Sequence, residues 1–198
     1  RKLLEMSGKF GVPIQEIYLL GLGAKTEKGN AAFMGLGRTK RIAIGDTIYE
    51  KYPAEQVLAV FAHELGHLVH WDIWKGLFFS ACSLFLTFGL ADFICRTWVL
   101  PTWFTWLEAP FGLFLYFVVV SLLGIPLGLL ERIFSRWRER EADRFASENL
   151  NMARPLADAL ESLTYQNRSY FFPHPLREFW LYSHPAPWRR IRTLLETV

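Results

Sequence analysis

Two long apolar runs, at about residues 76–95 and 110–130, limit what this chain can become. The first contains Leu77, Phe78, Phe79, Leu84, Phe85, Leu86, Phe88 and Leu90, with Asp92 near its end. The second includes Phe117-Val118-Val119-Val120 and carries no charge. Each has about the ~20 residues a helix needs to cross the hydrocarbon layer. Trp98, Trp103 and Trp106 fall in the connection, where an interfacial aromatic belt belongs. Arg96 and Glu108 are the charges of that connection, whereas Lys75 precedes the first run and Arg132, Arg136, Arg138, Arg140 and Arg144 follow the second. The positive-inside rule then places both outer ends in the cytoplasm. Composition agrees, with 52% hydrophobic residues, 8 Trp, 17 Phe and a positive mean hydropathy. The net charge of +3 gives no nucleic-acid signal, and the arginine cluster reads as topology. Cys82 and Cys95 lie in the first run, where the expectation is two small buried hydrophobes.

Outside the runs the pattern is mixed. Residues 1–10 carry a weak helical pattern and Ile14–Leu20 reads as a strand. Asn30 to Gly35 and Arg41 to Ile44 read as a β-hairpin around an Arg38-Thr39-Lys40 turn. Its free edge would suit an extended peptide held by main-chain hydrogen bonds. A helix from Pro53, as its first helical residue, to about Trp71 precedes the first run. Another is expected at about Pro155–Gln166, then an aromatic loop with His174-Pro175 and His184-Pro185, and a closing helix. The fold class is α+β, mainly helical, as one domain over residues 1–198, with the two transmembrane helices inserted in it. The chain begins at Arg1 without a signal-peptide pattern and reads as a fragment whose upstream spans are out of view.

The helix before the first run carries His63-Glu64-Leu65-Gly66-His67. Residues four apart on a helix share a face, so His63 and His67 can offer two imidazoles to one metal ion. Glu64 lies beside that face, where a carboxylate can deprotonate water at the metal. A catalytic zinc needs a third protein ligand. Glu139 and Glu141, on the charged stretch after the second run, both qualify by type, but two residues apart they point to opposite sides. Glu139 shares its face with Asp143, which permits one carboxylate on the metal and one orienting a ligand imidazole. A peptidase also benefits from a group aimed at the oxyanion. His174 and His184 are both available for that.

The order H-E-L-G-H, two spans, E-x-x-A-D and S-H-P-x-x-x-x-R resembles the integral-membrane zinc peptidases that include the type I CaaX prenyl endopeptidases and the HtpX-like heat-shock proteases. The resemblance covers essentially the whole chain. Tyr182-Ser183-His184-Pro185 and R-E-A-D-R-F-A look closer to the CaaX branch, while Asp72, five residues after His67, is as in the heat-shock branch. The likeness implies a zincin-like catalytic domain with one Zn²⁺ per chain, held by His63, His67 and Glu139. It makes Glu64 the general base and His184 the oxyanion group, with Asp143 and Arg190 in support. Asn30 and Ala31 match the strand that lines the substrate cleft. The expected protein is an integral-membrane endopeptidase with its site on the cytoplasmic side. Its partners would be membrane lipid and a peptide or protein substrate, either CaaX-type tails or misfolded membrane proteins. The alternative is a non-catalytic membrane module whose structural zinc site serves a binding partner.

Overall fold

In the computed structural model, residues 2–12, 14–21, 23–24, 26–29, 31–34, 41–99 and 110–196 are described. Helix α1 (Lys2–Lys9) leads to strand β1 (Glu16–Leu20), then β2 (Ala31–Met34) and β3 (Arg41–Gly45). The sheet order is β1-β3-β2, with β1 parallel and β2 antiparallel to β3. Ile42, Ala43 and Ile44 of the central strand are buried, whereas every residue of the edge strand β1 is exposed. The hairpin expected from the sequence is the β2–β3 pair, and its turn lies outside the described residues.

A short helix α2 (Asp46–Tyr49) precedes α3 (Ala54–Val69). Pro53 is the N-cap of α3 rather than its first helical residue. An apolar core of Ile42, Ile44, Ile48, Phe61, Leu65, Phe145, Leu156 and Leu194 joins the sheet, α3 and the C-terminal helices. At the end of α3 the backbone turns sharply through Trp71, at φ 60°, and α4 (Asp72–Ile94) begins at once. A wide π turn (Cys95–Val99) follows.

Helix α5 runs without a break from Pro110 to Arg144, through Pro126. The second apolar run and the charged stretch behind it are thus one element, not a span followed by a separate ligand helix. Both α4 and α5 are long and apolar enough to cross a bilayer. They pair through stacked rings, Phe79 on Phe134 at 4.8 Å and Phe88 on Tyr116 at 6.5 Å. Their outward side chains, among them Phe78, Phe85, Phe114 and Leu122, are exposed, as lipid-facing residues are. Cys82 is exposed on this surface and Cys95 is buried, so the expectation of two buried thiols holds for one. Trp98 is exposed, and Trp103 and Trp106 lie outside the described residues.

A second π turn (Phe145–Asn149), α6 (Ala153–Gln166), α7 (Pro175–Leu181) and α8 (Pro187–Glu196) complete the chain. Helix α7 replaces part of the expected aromatic loop. It has no buried residue, so no apolar periodicity announced it.

Candidate metal centre

Helix α3 sets His63 and His67 one turn apart with their Nε2 atoms 3.2 Å from each other. Helix α5 delivers Glu139, whose Oε2 lies 3.4 Å from His63 Nε2 and whose Oε1 lies 3.4 Å from His67 Nε2. A tetrahedral ion with ligands at ~2.0–2.1 Å separates its donors by about 3.3 Å. The three spacings match that edge length. Glu139 Oε2 is buried and has no hydrogen-bond partner, which suits an oxygen shaped to face a cation. The donor set and its spacing therefore fit a metal ion. Glu141 is turned away, in an ion pair with Arg144 at 3.2 Å.

Each imidazole is backed by a carboxylate on its other nitrogen. His63 Nδ1 is 2.9 Å from Asp143 Oδ1, and His67 Nδ1 is 2.7 Å from Asp72 Oδ2. With the Nδ1 protons held by these carboxylates, both Nε2 lone pairs would be available to an ion. Burial opposes charge on these groups, but their neighbours prevail. His67 is pushed up to about 9 by Asp72 and Glu139. Burial would raise Asp143 as well, yet Arg190 and His63 hold it at about 2. The same balance, set by His63, His67 and Arg190, holds Glu139 far below the usual carboxylate range. Arg190 on α8 grips Asp143 with both arms of its fork, Nε to Oδ2 at 2.8 Å and Nη2 to Oδ1 at 2.7 Å. Its Nη1 is 3.4 Å from Glu139 Oε2.

Glu64 stands beside the donors. Burial raises its pKa above that of a free carboxylate, while His63 and His67 pull the other way. It shares a small apolar cavity with Ala31, Ile42, Ile44 and Phe61, which brings the start of β2 next to the site. Asn30 lies outside the described residues. His184 Nε2 is 3.2 Å from Glu139 Oε1, and its Nδ1 is 2.9 Å from Ser183 Oγ. His174 instead caps α7, accepting from the Leu176 N–H at 3.2 Å. Of the two loop histidines, only His184 is at the centre. Asp72 was the residue that sequence reasoning gave no part in the site. Its one signal was an acidic side chain close behind the second histidine.

The pattern of peptidase family M48 matches residues 1–198. The chain belongs to that family. Among M48 and related proteins it is 28% identical over 212 residues to CAAX prenyl protease 1 of Saccharomyces cerevisiae, covering 98% of this chain and 47% of that one. It is 26% identical over 200 residues to the uncharacterized metalloprotease YhfN of Bacillus subtilis, covering 96% of this chain and 46% of the relative. The crystal structure of S. mikatae Ste24p superposes with a TM-score of 0.83 at 26% identity, over 98% of this chain and 49% of that one. The M48 chain described here thus spans about half the length of the relatives it matches.

Proposed function

We propose that this M48 chain is one membrane-embedded zinc endopeptidase domain. The observation that carries the reading is the triangle of donors from His63, His67 and Glu139, at 3.2 and 3.4 Å, with Glu64 alongside. Bound Zn²⁺, one per chain, would supply Lewis acidity and make water nucleophilic near neutral pH. Glu64 takes the proton from the attacking water and returns it to the leaving amine. Ser183 can donate to His184 Nδ1, which keeps the proton on Nε2; that N–H, 3.2 Å from Glu139 Oε1, would turn to stabilise the oxyanion. Asp143 and Arg190 orient His63. The outer edge of β2 suits an extended substrate, with Ala31 at its near end, and Asn30, the residue before it in sequence, is the other substrate contact of this reading.

The chain sits in the membrane by α4 and α5, with the site on the cytoplasmic side where the arginines gather. Its substrates are peptides or proteins, and CaaX-type tails come first because several relatives are named CAAX prenyl proteases. Misfolded membrane proteins are the other class. The test is cleavage by the full-length, zinc-loaded protein in detergent, wild type beside Glu64→Gln. One substrate is a farnesylated CaaX peptide and the other an unfolded polypeptide. Cleavage lost in the variant, with zinc retained, is the expected result. A fully active variant overturns Glu64 as the base, and a zinc-loaded wild type silent on both substrates overturns the endopeptidase reading in favour of a non-catalytic module.

A further inference from the structure

His63 has a chain of support behind it, Arg190 to Asp143 to imidazole. The structure assigns a second such chain to His67, built from the membrane helices. We infer that Asp72 is a positioning residue for the metal centre, held in place by Arg138 and by the absence of a side chain at Gly76. This inference rests on the reading of His63, His67 and Glu139 as metal ligands.

Asp72 is only 4% exposed, and its carboxylate meets His67 Nδ1 at 2.7 Å. It can do so because Trp71 turns the chain back between α3 and α4 in a conformation that bulky residues rarely adopt. A conformation of that cost persists only where its surroundings enforce it. Arg138 on α5 supplies one restraint, its Nη1 donating to the Asp72 carbonyl at 2.8 Å. The guanidinium lies over the Phe134 ring at 5.1 Å. A Cβ at Gly76 would stand 2.7 Å from Arg138 Nη1, so a side chain there makes the tip of the Arg138 side chain shift away from its present place. Asp72 Oδ1 and Arg138 Nε are both buried without hydrogen-bond partners. Lys75 Nζ lies 3.7 Å from Asp72 Oδ1 as an ion pair, and Oδ2 is the oxygen turned to His67. A carboxylate there fixes the ring's tautomer and raises its strength as a ligand.

The experiment measures zinc affinity by chelator competition, and the visible spectrum of the cobalt-substituted protein, on the full-length protein in detergent. Wild type, His67→Ala, Asp72→Asn and Gly76→Ala are compared, with the melting temperature of each zinc-free form. Asp72→Asn is expected to weaken zinc by roughly 10–100-fold and to shift the cobalt spectrum, at an unchanged zinc-free melting temperature. Gly76→Ala, which displaces Arg138 and touches no ligand, is expected to weaken zinc several-fold. Wild-type affinity and spectrum in Asp72→Asn overturn the positioning role. Should that variant not fold, Gly76→Ala decides, and wild-type affinity there overturns the role. Weak zinc binding by wild type itself, no tighter than by His67→Ala, would instead overturn the metal reading.

Discussion

Arg190 and Asp143 are each about a tenth exposed as side chains and bond through two parallel contacts. Truncating one partner of such a pair strands the other charge in a low-dielectric site, at a cost of about 3–5 kcal/mol. Arg190→Ala is expected to destabilise the zinc-free protein by about that much, read by thermal unfolding in detergent. Arg190→Lys, which keeps the charge and loses the fork, should fall between. A loss below about 1 kcal/mol for the alanine variant would mean the pair is not what secures α8 to α5. At this scale much of the centre was legible. The i, i+4 spacing put His63 and His67 on one face, and the face shared with Asp143 separated Glu139 from Glu141. Asp72 was not legible, because its direction depends on the left-handed Trp71, and nothing in the residues around a tryptophan announces a positive φ.

The crossing of α3 and α5 decides how far the two halves of the donor set stand apart. Gly66 makes the crossing close: a Cβ there would lie 3.0 Å from the Ala142 Cα, 3.2 Å from its carbonyl oxygen and 3.2 Å from the Phe145 Cβ. These are atoms of backbone and first side-chain carbon, which cannot swing aside. Gly66→Ala should therefore push the helices apart, costing about 1–3 kcal/mol and weakening zinc, since His67 and Glu139 move with them. Unaltered stability and zinc affinity would show that the crossing has slack. The loop bearing His184 is braced in the same way. Arg136 Nη1 donates to the Tyr182 carbonyl at 2.7 Å, and Glu178 accepts from the Ala186 N–H at 3.0 Å. Hydrophobic periodicity revealed α3, α6 and the two apolar helices because each buries a stripe or meets lipid. It was blind to α7, which buries nothing, and to the parallel pairing of β1 with β3, which depends on how the chain crosses between them.

On the scale of the molecule, the charge asymmetry around α4 and α5 predicts an orientation. In a background with Cys82 and Cys95 replaced, Trp98→Cys should react with an impermeant maleimide on intact cells. Glu148→Cys should react only after permeabilisation. Both positions are exposed, Trp98 by 75% and the Glu148 side chain by 58%. The opposite pattern would place the metal centre outside the cell. The apolar runs were plain in the sequence, but their continuity with the ligand-bearing stretch was not, since proline and a change from apolar to charged both suggest a break. That continuity has a geometric consequence. Glu139 stands on the same rigid rod as Leu130, nine residues further on. At about 1.5 Å per residue, the rod carries it about 13 Å beyond Leu130, the end of the uncharged apolar run. On the proposed reading, the bilayer and the scissile bond are thereby set on one ruler. On that reading, a substrate tethered in the same leaflet would need about four extended residues, at roughly 3.3 Å each, between tether and cut, or its anchor would have to be lifted out of the lipid to reach the site.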